Sequence, residues 1–513
     1  MAKDVIVVGA GPVGLMLAGE LRLGGVDVVV YDRLPAPSGE SRGVGFTRRA
    51  AEVFDQRGLL ERFGDVEWAQ GHFGGVRIDF GKLADNHFSV RGIPQFRTEE
   101  ILENWLRELG VQVRRRHEVT GFRETPDGVV VEYGGPDGYG EESARYLAGC
   151  DGARSLIRRL AGIDFVGWDA TRGMYMADLV GANVRQRPIG EKTPDGMVMA
   201  FNLENGVDRI VIHDENLRPP EDKSALRFTD IADAWQRMTG ESLHDAEVRW
   251  ISSFTDTTRQ AEHYRSGRVF LVGDATHIHM PAGAQGMSVG VQDAANLGWK
   301  LAAAVKGWAP DGLLDTFESE RHPVGQKLMR STRAQTKLYL TGDEMEPLRS
   351  IMRELVELPE VARQLAGMVS GLDVRYDMGE QAGEHPLLGL RFDPSRGLEH
   401  AGGGRGRVAD VLRAARGVLL VTGAAADAAA IREAAAPWRG RVDVVAADWA
   451  GGGDNPPPAG PDAVLLRPDG HVAWVAPDGV GSLRQALRRW FGTGRLPRGS
   501  ADAAPAASAA PVG

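Results

Sequence analysis

Residues 4–33, DVIVVGAGPVGLMLAGELRLGGVDVVVYDR, constrain the fold more than any other stretch. Val5–Val8 is a short apolar run of the kind that forms a buried strand. Gly9, Gly11 and Gly14 follow at GxGxxG spacing, with Pro12 inside the motif. Leu15, Leu17, Ala18 and Leu21 then give a helix an apolar face. Val28–Tyr31 is a second strand, ending at Asp32 and Arg33. Gly9 permits the tight turn, Gly11 lets a pyrophosphate approach the backbone at the helix N-terminus, and Gly14 lets helix and strand pack closely. Asp32 can accept the ribose hydroxyls. In this register the motif is a dinucleotide site. An acid at position 32 favours an unphosphorylated adenosine ribose, so NADPH is not expected as the resident. No second GxGxxG follows a strand, and AGGGRGR at 401–407 reads as a linker. The chain therefore holds one permanent dinucleotide.

At 513 residues the chain has room for two or three domains. Its net charge of −10 argues against a nucleic-acid groove. Cys150 is the only cysteine, which excludes an intrachain disulfide or a CxxC redox pair and fits a reducing cytoplasm. It reads as a small buried residue. No apolar run reaches the ~18 to 20 residues that a membrane span needs. Asp4 and the early glycines speak against a signal peptide.

A second glycine-rich corner lies far along the chain. Residues 273–290, GDATHIHMPAGAQGMSVG, follow the apolar run Val269–Val272 and precede a helix-like run. Asp274, His277 and His279 raise the question of a metal, because an HxH pair on a strand puts both rings on one face. The Pro-Gly run that follows is loop-like, and no further His or Cys cluster completes a shell. No metal is expected, and the histidines read as packing or hydrogen-bonding residues. Two other segments stand out. SRGVGFTRR, from 41, places Arg42 among small residues, within reach of a phosphate or a cofactor edge or simply solvated. GCDGARSLIRRL, from 149, is a Gly-Asp-Gly turn before a basic helix.

Together these segments resemble the class A flavoprotein monooxygenases of the para-hydroxybenzoate hydroxylase fold, and most closely the aromatic polyketide hydroxylases of the angucycline type. The resemblance implies FAD as the bound cofactor. It places Gly9, Gly11, Pro12, Gly14, Asp32 and Arg33 at the diphosphate and ribose, and Arg42 and Gln95 at further FAD contacts. Val119 matches a backbone contact to adenine. Asp151 and Arg158 match a motif serving both FAD and NADPH. Asp274 matches the ribityl contact, and Pro281, Gly283, Gly286 and Met287 match the loop against the isoalloxazine ring. Where relatives carry Asn after Gly-Met, this chain has Ser288, a departure that bears on flavin positioning. Glycines suit that loop, since backbone N–H groups at a helix N-terminus favour a ring edge that becomes negative on reduction. Pro281 rigidifies it.

The fold expected is α/β: a Rossmann-like FAD-binding domain with an inserted β-sheet substrate domain and a C-terminal thioredoxin-like domain. The FAD domain takes 1–75, 95–175 and 265–390. The substrate domain takes 76–94 and 176–264, and the cysteine-free thioredoxin-like unit 405–495, with a structural or docking role. Residues 496–513, rich in Ala and Pro, read as a disordered tail. Met197, Met199 and Phe201 alternate and share a sheet face, either ordinary core or a surface for a flat substrate. The resemblance implies transient NADPH, reaction with O2 through a flavin C4a-hydroperoxide, a ring that swings between two positions, and hydroxylation of a polycyclic aromatic polyketide. Arg42 and Pro281 would position the ring, and no side-chain nucleophile is required. The alternatives are a dehydrogenase or reductase of the same fold and a non-catalytic flavin-bound protein that sequesters a polyketide. Homodimerisation is left open.

Overall fold

A computed structural model of the protein describes residues 2–37, 39–41, 43–64, 68–69, 71–79, 90–203, 206–217, 225–379, 383–423, 425, 427–451 and 460–494. Arg42, residues 80–89 of the expected insertion and the expected disordered tail at 496–513 lie outside the described residues. β1 (Lys3–Val8) and β2 (Val28–Tyr31) are parallel neighbours joined by α1 (Pro12–Leu23). Val5, Ile6 and Val7 are fully buried, because a parallel sheet is covered on both faces and its strands read as continuous apolar runs. β3 (Gln112–Arg114) pairs outside β2, and β4 (Gly138–Gly149) pairs on the other side of β1. The strand before β4 enters it through a hairpin in which Gly135 faces Gly138, at the GPDG turn.

The chain then builds a five-stranded antiparallel sheet. β5 (Gly173–Val180), β6 (Gly196–Asn202), β7 (Val207–Asp214) and, after α2 (Phe228–Thr239), β8 (Glu247–Thr255) belong to it. Their spatial order is β6, β7, β5, β8, with the strand Arg187–Thr193 outside β6. Side chains alternate between two faces. Tyr175, Ala177, Val198, Ala200, Ile210 and Ile212 pack with Trp235 of α2. Met174, Met176, Met197 and Val211 turn the other way and cluster with Met280 and Ala282. The chain returns to the first sheet as β9 (Val269–Leu271), parallel to β4, and continues as α3 (Gln285–Val305) and α4 (Asp315–Leu340).

The C-terminal unit holds β10 (Gly417–Val421), β11 (Val442–Trp449), β12 (Ala463–Leu466), β13 (Val472–Val475) and α5 (Gly479–Phe491). Its order β11-β10-β12-β13, with the first pair parallel and the others antiparallel, is thioredoxin-like. The turn at Pro468-Asp469-Gly470 is plugged into α3 and α4 by charge. Buried Arg467 grips Glu320 through two nitrogens at 2.6 and 2.8 Å, and Lys300 meets the same carboxylate at 2.7 Å. Burial alone would raise the Glu320 pKa, but Arg467 and Lys300 pull it down to about 2. Burial pushes Lys300 down to about 8. Trp299 of α3 shares one apolar cluster with Trp490 and Phe491 of α5. No helix among the described residues is long and apolar enough to cross a membrane.

Candidate functional site

Sterics shape the first corner. Gly9 lies at φ 103°, and a Cβ there would sit 2.4 Å from the Cys150 carbonyl oxygen. A Cβ on Gly14 would sit 2.0 Å from the Gly9 carbonyl oxygen, so helix and turn touch backbone to backbone. A Cβ on Gly11, by contrast, would meet nothing within 4 Å, and α1 begins at Pro12 without a side-chain cap. Uncapped N–H groups beside an open face are what a diphosphate requires. The Asp32 carboxylate accepts from the backbone N–H of Ala10 at 2.7 Å and of Leu34 at 2.8 Å, which fixes it at the end of β2 with lone pairs to spare for ribose hydroxyls. Arg33 is exposed. Cys150 is buried, and burial raises its thiol well above the usual range, which disfavours the thiolate.

Small residues bring the second corner to the first. Gly273, at φ 65°, and Gly290 both lie against Val13 of α1: a Cβ on either would come within 3.0 Å or 2.6 Å of a Val13 methyl. Further along, a Cβ on Gly298 would reach Glu20 at 2.3 Å, and one on Gly24 would reach Ala302 at 2.4 Å. These contacts step in the same direction along both helices, so α1 and α3 run parallel and their N-termini sit side by side. Asp274 is exposed at the turn between β9 and α3.

Buried polar groups fix that turn. His277 Nε2 lies 3.0 Å from Asp293, whose other oxygen accepts from Arg321 at 2.6 Å. Arg321 also donates to the Tyr376 hydroxyl at 2.8 Å and to the Val289 carbonyl at 3.2 Å. Burial would raise the Asp293 pKa, but Arg321 and His277 hold it below the usual carboxylate value. His279 Nδ1 lies 2.6 Å from the Met280 carbonyl oxygen, and burial pushes its pKa down to about 4. Both histidines are thus tied to neighbours within the protein. Among the described residues no group of three His, Cys, Asp or Glu could hold a metal.

Pro281 is exposed, and Gly283 and Ala284 are left-handed at φ 65° and 56°, followed by Gln285 at φ −80°. Left- and right-handed residues in succession turn their N–H groups toward one concavity, an anion-binding nest. Ala284 carries a Cβ in this conformation, which costs about 1–2 kcal/mol. Ser288 braces it: its hydroxyl donates to the Ala284 carbonyl at 2.9 Å and accepts from the Thr47 N–H at 2.9 Å. Serine thus ties the 281–287 loop to the strand Val44–Thr47, which follows Arg42. Gly286 and Met287 lie in the first turn of α3.

The remaining expected residues lie close by. Gln95 opens the helix Gln95–Glu108 and donates to Glu99 at 2.8 Å, beside Gly43. Val119 is buried in the strand Glu118–Thr125. Asp151 accepts from Ser155 Oγ at 2.6 Å and from the N–H groups of Leu156 and Ile157 at 2.7 and 3.1 Å, so its carboxylate caps the helix Leu156–Leu160. Arg158 donates to the Ala275 carbonyl at 2.9 Å and stacks on Phe165 at 3.7 Å. That motif therefore ties the Gly-Asp-Gly turn to the second corner. Met197 faces the ring loop through its cluster with Met280 and Ala282, Met199 lies at the margin of that cluster, and Phe201 shares their face opposite Arg209. Val13, Gly290, Gly298, Asp293 and Ala284 were not singled out in the sequence. The signal available was the run of small residues in α3 interrupted by one acid.

A family model described as an FAD binding domain matches residues 2–332, and one described as aromatic-ring hydroxylase, C-terminal, matches residues 385–494. The chain is 44% identical to 12-dehydrotetracycline 5-monooxygenase/anhydrotetracycline 6-monooxygenase of Streptomyces rimosus subsp. rimosus, over 96% of this chain and 99% of that one. It is 39% identical to dialkyldecalin synthase of Streptomyces rugosporus, over 96% of this chain and 99% of that one. Its structure superposes on that of CabE, an aromatic hydroxylase from angucycline biosynthesis, with a TM-score of 0.91 at 51% identity, covering 96% of this chain and 100% of CabE.

Proposed function

The chain belongs to the FAD-binding aromatic-ring hydroxylases, and from that membership we propose that it uses NADPH and O2 to hydroxylate a phenolic polycyclic aromatic polyketide, of the angucycline type, in antibiotic biosynthesis. One observation carries the reading: two helix N-termini from distant parts of the sequence sit together, beside a methionine-lined sheet face.

FAD supplies the oxygen-activating chemistry when bound. The N-terminus of α1 at Gly11 takes the diphosphate, and Asp32 takes the ribose. Asp274 accepts from the ribityl chain. The Gly283–Gln285 N–H groups would hold the electron-rich edge of the ring system, beside Pro281. Met174, Met176 and Met197 exclude water from the opposite side and, being unbranched and polarizable, adapt to a flat polycycle.

The test is incubation of the purified holoprotein with angucycline and anthracycline intermediates, NADPH and labelled O2, read by mass. One labelled oxygen atom in a product, with NADPH consumed, is the expected result. The kinship with dialkyldecalin synthase favours a second reading, in which the same face binds a polyketide without oxygenating it. That reading requires binding of the polycycle with no label incorporated.

A further inference from the structure

The sheet face opposite α2 is not uniformly apolar. Across β7, Arg209, Val211 and His213 point to the side that carries Met174, Met176, Met197 and Met280. Arg209 is committed. It holds Asp178 through two nitrogens, both at 2.7 Å, and donates to the Ser41 carbonyl. His213 is not. Its Nδ1 lies 2.8 Å from the Gly173 carbonyl oxygen, so Nδ1 carries a hydrogen, and a neutral imidazole held this way offers a lone pair at Nε2. His213 is only 3% exposed, and Nε2 is buried without a hydrogen-bond partner among the described residues. A buried polar atom left in this state is costly, and such atoms are normally paired.

Position gives the atom a use. His213 lies directly across from Met197, in the cluster row that touches the ring loop. Arg209 is four residues away on the same strand, about 13 Å at ~3.4 Å per residue. Methionines and Val211 fill the stretch between, with Tyr339 and Leu340 at the end of α4 packed over them. A polar acceptor at one end of an apolar strip of that length matches a fused aromatic system with a hydroxyl at its end.

We propose that His213 Nε2 accepts the hydrogen bond of a phenolic hydroxyl on the substrate and selects polycycles hydroxylated at that end. The proposal rests on the polycyclic phenol assigned above. The test uses holoprotein and a panel of hydroxyanthraquinones with their methyl ethers, read by the change in flavin fluorescence on binding. Wild type binds the matching phenol about 10- to 100-fold more tightly than its ether. His213→Leu binds the two alike, and His213→Gln restores part of the difference. A second measurement needs no substitution: the nitrogen NMR resonance of His213 Nε2 moves when the phenol binds and stays when the ether binds. A wild-type preference retained in His213→Leu, or a stationary resonance, overturns the proposal and leaves the substrate class standing. A panel in which no member binds wild type overturns the substrate class and the proposal with it.

Discussion

The two glycine-rich corners solve one problem by opposite means. At Gly9 and Gly14 the backbone is packed so tightly that a single methyl would strike a carbonyl oxygen at 2.4 or 2.0 Å. At 281–288 the backbone is left-handed through a non-glycine residue and is held by side-chain hydrogen bonds from Ser288, Gln285 and His279. The first corner is fixed by volume exclusion, which tolerates nothing. The second is fixed by polar contacts, which can be weakened one at a time. The difference suits an anchored diphosphate and a ring whose position is adjusted.

Binding of ADP, which needs only the first corner, compared with binding of FAD, which needs both, separates the two. The largest effect is expected from Arg321→Met. It takes the guanidinium from buried Asp293 and leaves His277 as its remaining partner, at a cost of about 3 kcal/mol in chemical denaturation. It also unties the second corner, so FAD affinity falls while ADP affinity holds. Gly14→Ala costs about 1–3 kcal/mol through overpacking and weakens both ligands together. If Gly14→Ala spared ADP, the steric account of the first corner would fail. Ser288→Ala leaves the Thr47 N–H without its acceptor and removes the second donor to the Ala284 carbonyl, for about 1–2 kcal/mol. ADP binding stays unchanged, and less product forms per NADPH consumed.

A pH dependence at the second corner probes the same contrast. His279 has its pKa lowered from 6.5 to about 4 by burial, so the unfolded chain takes up the proton first. Its contribution to stability is complete above about pH 6.5 and is lost progressively as pH falls from there toward 4. Thermal melting followed across that window should show the decline, and His279→Asn should make it shallower, the buried His72 and His471 supplying the remainder.

Local chemistry made much of this visible in the sequence. The GxGxxG turn, the GPDG hairpin, the Pro468-Asp469-Gly470 turn and the alternation of Met197, Met199 and Phe201 are all set by neighbours within a few residues. Alternation could say that the three side chains share a face. It could not say that the face looks away from Trp235 and toward Met280, because strand order decides that. The resemblance matches Asp151 to a motif serving FAD and NADPH, and in the fold its carboxylate also accepts from Ser155 and the two N–H groups beyond it, a helix cap that the Asp-x-x-x-Ser spacing allows. Lys300, Glu320, Arg467 and Asp469 look like ordinary surface charges along the chain. They become a buried plug only when residues from opposite ends of the sequence are brought together.

The parallel seating of α1 on α3 also governs when the site can come into being during synthesis. The Gly9–Gly14 turn leaves the ribosome almost at once, but Gly273, Gly290 and Gly298, against which α1 rests, follow far later. A nascent chain therefore carries half a binding site, with the face of α1 that meets α3 still uncovered, until residue 305 has emerged, although Trp105 already covers Gly19 on another face of α1.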